Sequence, residues 1–139
     1  MSVVKELLRA EENGTISFGD YTLEKKTKKA DFEHGGDQYY CKTFHEITKL
    51  EKNGQFMFES VPGSAVTDFN EREDGVSFRI EAASEVQVTL GLAEDTEYAV
   101  YFDNEQVGLM ETNKSGKLSM SVELGEGKSV VVSVEKSDR

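Results

Sequence analysis

The stretch GVSFRIEAASEVQVTLGL, residues 75–92, decides the fold class, because apolar and polar side chains alternate along two consecutive runs. A period of two residues places the apolar side chains on one face of a strand and the polar ones on the other. This pattern is typical of antiparallel sheets with one buried and one solvent-exposed face. The alternating apolar residues are Val76, Phe78, Ile80, Ala82, Val86, Val88, Leu90 and Leu92.

The same alternation recurs towards the C-terminus, at 118–124 and 130–134. Before it, a hairpin is predicted from 98–102 and 107–111, turning through Asp103-Asn104-Glu105, with Tyr101 on its outward face. Eight to ten short strands in about 125 residues, separated by Gly- and Asn-containing turns, predict an antiparallel β-sandwich or jelly roll. A small β-barrel is the alternative.

One helix is predicted, at the N-terminus over residues 1–14, ahead of a sandwich over 15–139 in a single domain. Ser2 is its N-cap, and Asn13-Gly14 ends it. Because so short a helix is marginal alone, its apolar stripe must pack on its own domain or on a neighbouring subunit. The second option predicts a homo-oligomer, with a dimer favoured, and it makes the stripe the interface. The stripe consists of Val3, Val4, Leu7 and Leu8.

The segments before residue 75 are less regular. Residues 43–54 fit a hairpin turning at Asn53-Gly54, which we favour, or a helix that begins with a capping box at Thr43 and Glu46. Residues 15–23 predict a strand broken by a bulge near Gly19-Asp20. Residues 25–37 predict a loop. It carries the one basic cluster, formed by Lys25, Lys26, Lys28 and Lys29.

The composition excludes several function classes. The 139 residues carry a net charge of −11, with a pI near 4.6, so nucleic acids and anionic membranes are not expected partners. The single cysteine excludes an intramolecular disulfide. The chain shows neither a secretory signal nor an apolar run long enough to span a membrane, which predicts a cytoplasmic protein.

Both histidines and the only cysteine lie close together in the sequence, at His34, Asp37, Cys41 and His45. All four residue types bind zinc. On a strand, however, Cys41 and His45 would lie about 13 Å apart, too far to share one ion. We therefore predict no metal and no cofactor. The acidic turns at 68–75 and 102–105 lack the calcium-loop pattern.

No catalytic motif is present. Ser64 does not lie in a G-x-S-x-G elbow, and neither phosphate-binding glycine motif occurs. The chain is therefore predicted not to be an enzyme. Sugar binding requires exposed aromatic platforms; the chain has no Trp, and its candidates are Tyr39, Tyr40 and Tyr101.

Residues 97–136 resemble the terminal hairpins of bacterial β-sandwich modules attached to polysaccharide-degrading enzymes. The residues that carry this resemblance are Tyr98, Tyr101, Val107-Gly108, Thr112-Asn113, Gly116 and Ser119 to Val122. The whole chain also resembles small bacterial proteins that bear the label endosialidase. Sialidases use three arginines and S-x-D-x-G-x-x-W turns. This chain has four arginines in all, one of them its last residue, and no Trp, so no sialidase residue carries over.

These observations predict a non-catalytic, acidic β-sandwich that acts as a structural or protein-interaction module and self-associates. The alternative is a carbohydrate-binding accessory protein with a glycan partner.

Overall fold

Each alternating run of the sequence forms a strand whose apolar side chains are buried in the computed structural model, which describes residues 3–137. The described residues form thirteen strands and no helix. The strands are β1 Leu8–Ala10, β2 Ile16–Phe18, β3 Thr27–His34, β4 Asp37–Phe44, β5 Ile47–Lys52, β6 Gln55–Val61, β7 Ala65–Arg72, β8 Gly75–Glu81, β9 Val86–Gly91, β10 Glu97–Phe102, β11 Glu105–Glu111, β12 Lys117–Val122 and β13 Ser129–Lys136.

The strands form two antiparallel sheets that pack face to face, which confirms the predicted β-sandwich. The first sheet has the order β1-β2-β7-β8-β13-β10-β11, and the second has the order β12-β9-β6-β5-β4-β3. Both sheets keep two edge strands, so the strands described in residues 3–137 do not close into the alternative barrel. Within the same range, no helix is long and apolar enough to cross a membrane.

A cluster of four phenylalanines joins the two sheets. Phe58 of the second sheet packs against three rings of the first sheet, those of Phe18, Phe69 and Phe78, with centroid distances of 5.3, 6.3 and 5.6 Å. The angles between the ring planes lie between 77° and 89°, the edge-to-face arrangement that aromatic pairs prefer. This cluster holds the two sheets in contact at the centre of the core.

The predicted N-terminal helix is wrong. The backbone N–H of Val4 donates to the carbonyl of Gly19 at 3.0 Å, and β1 pairs with β2 in a hairpin. Asn13-Gly14, expected to end a helix, instead forms the turn, with Gly14 at a φ of 89°. The extended chain buries both Val4 and Leu8 and gives the backbone partners in the sheet, whereas a helix this short is marginal by itself. The predicted N-cap, Ser2, lies outside the described residues.

The predicted loop at 25–37 is also wrong, because most of it is β3, which forms a hairpin with β4 through Gly35-Gly36. β3 is an edge strand without a buried residue, so apolar side chains do not alternate along it. Residues 43–54 form the favoured hairpin, which turns at Asn53-Gly54. Of the strand predicted over 15–23, only β2 is present, and the chain leaves the sheet at Gly19.

A buried network of hydroxyl groups fills one end of the sandwich. The Thr48 hydroxyl donates to the Ser64 carbonyl at 2.9 Å and accepts the Ser64 N–H at 3.0 Å. It also bonds the Thr43 hydroxyl at 2.8 Å, while Ser60 and Ser64 pair through their hydroxyls at 2.6 Å. The Asp20 N–H donates to Thr43 at 2.9 Å. This hydroxyl network connects the loop after β2, the β4–β5 hairpin and the β6–β7 connection.

Replacing Leu8 by Ala should lower the free energy of unfolding by about 2–5 kcal/mol, because it leaves a cavity in the shared core. Leu8 is 1% exposed. The matched control is Val61→Ala on β6, where the side chain is 49% exposed and the loss should stay within about 0.5 kcal/mol. Urea unfolding measures both, and equal losses would contradict the placement of β1 in the core.

Replacing Thr48 by Val keeps the side-chain shape but leaves the Ser64 N–H and the Thr43 hydroxyl without their buried acceptor. We expect a loss of about 1–3 kcal/mol in urea unfolding. Thr89→Val is the control, since the Thr89 hydroxyl pairs with Ser119 on the exposed face. If both variants unfold alike, the hydroxyl network does not contribute to stability.

Candidate functional site

At the end of the sandwich opposite the hydroxyl network, which we call the open end, clefts are lined by side chains of both sheets. Thr43 pairs with Thr48 at one end of the β4–β5 ladder, and Tyr39 pairs with Lys52 about 13 Å further along. There the Lys52 ammonium bonds the Glu71 carboxylate of the first sheet at 2.6 Å. Two clefts border Glu71, a large cleft of about 450 Å³ and a small cleft of about 240 Å³.

The Lys52–Glu71 ion pair is the polar bridge between the sheets at the open end. The hydrogen bond that the Lys52 ammonium donates to Glu71 raises the pKa of Lys52 above its ordinary value, although partial burial opposes the rise. Burial also raises the pKa of the neighbouring Tyr39 hydroxyl. At neutral pH both Lys52 and Tyr39 therefore keep their protons.

The large cleft has an apolar floor and a charged rim. Its floor residues come from both sheets and are almost completely buried: Met57, Phe69, Val76, Leu90 and Tyr98. Its rim carries the cations Lys52, Arg72, Lys117 and Lys136 together with the carboxylates Glu71 and Glu73. The volume lies within the range of small-molecule sites, which bury an apolar body and orient it by a few polar groups.

Two of the rim cations are paired and two are not. Lys52 pairs with Glu71, and the Arg72 Nε atom lies 3.3 Å from the carboxylate of Asp74. Within residues 3–137, neither Lys117 nor Lys136 forms an ion pair. The Lys117 ammonium lies 4.9 Å from the centroid of the Phe56 ring, a cation–π contact at the wall of the cleft.

The small cleft contains the ring of His34, whose Nε2 atom lies 3.0 Å from the carbonyl oxygen of Gly14. His34 and Asp37 are cross-strand neighbours, but Cys41 is buried further along β4 and His45 lies in the β4–β5 turn. The structure therefore does not bring these four candidate ligands together. Nor does the described part of the chain contain any other group of three or more His, Cys, Asp or Glu placed to hold a metal.

The three tyrosines considered for sugar binding do not share a surface. Tyr39 faces inward and packs against the core, whereas the next residue on β4, Tyr40, faces outward from the second sheet. Tyr101 faces outward from the first sheet, on the opposite side of the sandwich. Carbohydrate binding stays a prediction, without a common platform to support it.

The residues predicted as an oligomer interface divide into two groups. Val4 and Leu8 are buried in their own chain, whereas Val3 and Leu7 are half-buried beside them. The stripe that motivated the prediction is therefore largely buried within its own chain. Two exposed apolar side chains lie elsewhere, on β11: Val107 at 49% and Leu109 at 52% exposed.

β11 differs from the other edge strands. It spans seven residues and pairs only with β10. β1 has three residues, β3 is lysine-containing and bulged, and β12 places Lys117, Ser119 and Ser121 on its exposed face. Short length, lysines and bulges are the features that protect sheet edges against pairing. β11 also carries a bulge, at Val107, but it presents apolar side chains rather than lysines.

We compared the chain with protein-family models, curated proteins and solved structures, and no match was found in any of the three. The candidate sites therefore rest on the geometry of this chain.

Sequence reasoning missed the rim cations of the large cleft because they are far apart in the chain. Each one is the first or last residue of its strand: Lys52 of β5, Arg72 of β7, Lys117 of β12 and Lys136 of β13. The only local signal for these cations in the sequence is a basic residue at a strand end. This signal identifies a site only when the topology shows which strand ends lie together.

The Cys41 thiol should not react with Ellman's reagent in the folded protein at pH 8. Its burial raises the pKa of the thiol to about 12, so almost no thiolate forms. The raised pKa lowers the free energy of unfolding only at alkaline pH. Above about pH 9 the thiol of the unfolded chain ionises, while the thiol of the folded chain keeps its proton. Labelling in urea is the control, and rapid labelling without urea would contradict the burial of Cys41.

Proposed function

We propose that the protein is a non-catalytic structural module that associates with a second copy of itself through the edge strand β11. The observation that carries the proposal is that β11 combines an unpaired sheet edge with two half-exposed apolar side chains, Val107 and Leu109. The only other large apolar residue that is exposed in the described chain is Val61, in the second sheet.

An edge strand offers unpaired backbone N–H and C=O groups that a second strand can complete. Two identical edges pair antiparallel about a twofold axis, since a closed dimer uses the same surface on both copies. With the axis at Gly108, Val107 lies opposite Leu109 of the partner subunit. Pairing then extends the first sheet through both copies and covers the apolar side chains.

The antiparallel register brings the end of β11 that carries Glu105 next to the end that carries Glu111 of the partner subunit. The bulge at Val107 turns these two side chains to opposite faces of the sheet, so their repulsion is weaker than that of a directly opposed pair. The net charge of −11 adds repulsion at longer range, which physiological salt largely screens. Salt should therefore strengthen the association.

The non-catalytic part of the proposal is supported by the positions of the reactive side chains. Cys41 is buried with its thiol protonated, and His34 and His45 lie at opposite ends of the β3–β4 hairpin. No pair among these three provides a nucleophile beside a base.

The wild-type chain should sediment as a dimer at tens of micromolar in ordinary salt. The double variant Val107→Lys/Leu109→Lys should weaken the dimer by at least about tenfold, because it removes the apolar contact and places like charges directly opposite each other across the pair. Glu105→Lys should strengthen it, because the repulsion between the carboxylates at the neighbouring strand ends becomes an attraction. Analytical ultracentrifugation measures all three.

Val61→Lys is the matched control, since Val61 is 49% exposed, like Val107, but lies on the second sheet. A wild-type mass of 15.5 kDa at these concentrations would overturn the proposal. Equal weakening by Val61→Lys would exclude β11 as the interface.

A further inference from the structure

The large cleft at the open end has a charge opposite to that of the whole protein. Its rim contains four cations and two carboxylates, in a chain with a net charge of −11. The ammonium groups of Lys117 and Lys136 have no carboxylate partner among residues 3–137. They are therefore available to an anion that enters the cleft.

The floor of the cleft contributes a second, independent feature. Tyr98 is 2% exposed, and its hydroxyl oxygen accepts the N–H of Ala93 at 3.1 Å. No described residue accepts the hydroxyl proton of Tyr98. The Tyr98 hydroxyl can therefore donate a hydrogen bond to an oxygen that a guest supplies.

The remaining floor is apolar and suits the body of such a guest. Val76 and Leu90 come from facing sheets, and Phe69 continues the floor towards the Lys52–Glu71 ion pair. A bare inorganic anion would leave these surfaces uncovered, and an uncharged apolar molecule would leave the ammonium groups and the Tyr98 hydroxyl unused.

From these features we propose that the large cleft binds a small organic anion, a carboxylate or sulfonate on an aromatic or aliphatic body. The body covers the apolar floor between the sheets. The anionic group accepts hydrogen bonds from Lys117 and Lys136 at the rim, or from the Tyr98 hydroxyl where it reaches the floor. This site is separate from the β11 edge and does not depend on dimer formation.

The test uses the fluorescent probe anilinonaphthalene sulfonate and its uncharged analogue N-phenylnaphthylamine. Both are titrated into the Val107→Lys/Leu109→Lys background, which removes the apolar β11 surface. We expect the sulfonate to bind at least about tenfold more tightly than the analogue. The preference should disappear in Lys117→Gln/Lys136→Gln, and Tyr98→Phe should weaken the sulfonate several-fold.

The control is Lys25→Gln/Lys128→Gln, which causes the same change in net charge at two exposed lysines outside the cleft. It should keep the preference for the sulfonate. Thermal unfolding verifies that each variant is folded, and amide chemical shifts should move most at Val76, Leu90 and Gly91. Equal binding of the two probes, no effect of Lys117→Gln/Lys136→Gln, or shifts centred elsewhere would overturn the proposal.

Discussion

The contact of Phe58 with three phenylalanine rings of the opposite sheet is the interaction on which the rest of the structure depends. Each sheet has one apolar face, and neither face is stable in water, so the sheets must cover each other. The four rings lie at the centre of that contact. The burial of these apolar faces also determines the strand register, because a slip by one residue would turn the apolar side chains of a strand towards solvent.

The two ends of the sandwich satisfy their polar groups in different ways. At one end, Thr43, Thr48, Ser60 and Ser64 are fully buried, and each hydroxyl has a partner within the chain. At the other end, the side chains of Lys52 and Glu71 are 24% and 42% exposed, so these charges do not bear the full cost of burial. The Lys52–Glu71 pair joins the two sheets there, and Glu71 borders both clefts. A ligand site is therefore more compatible with the open end.

The proposed association and the proposed ligand site are independent because they use different surfaces of the sandwich. β11 is the edge of the first sheet furthest from β1, and its apolar side chains face away from the core. The large cleft lies between the sheets and is lined by neither Val107 nor Leu109. The β11 edge presents backbone groups and apolar side chains to another strand, whereas the large cleft presents cations to a small molecule.

Local alternation determined β8, β9, β12 and β13, because a period of two residues directly reports one buried face. Asn53-Gly54 determined the β5–β6 hairpin, since its two positive φ angles suit a tight turn. The tertiary structure decided the N-terminal segment, where one apolar pattern fits a helix or a buried extended chain, and β3, whose edge position requires no apolar face. It also decided the large cleft, because Lys52, Arg72, Lys117 and Lys136 meet only when four strand ends are brought together in space.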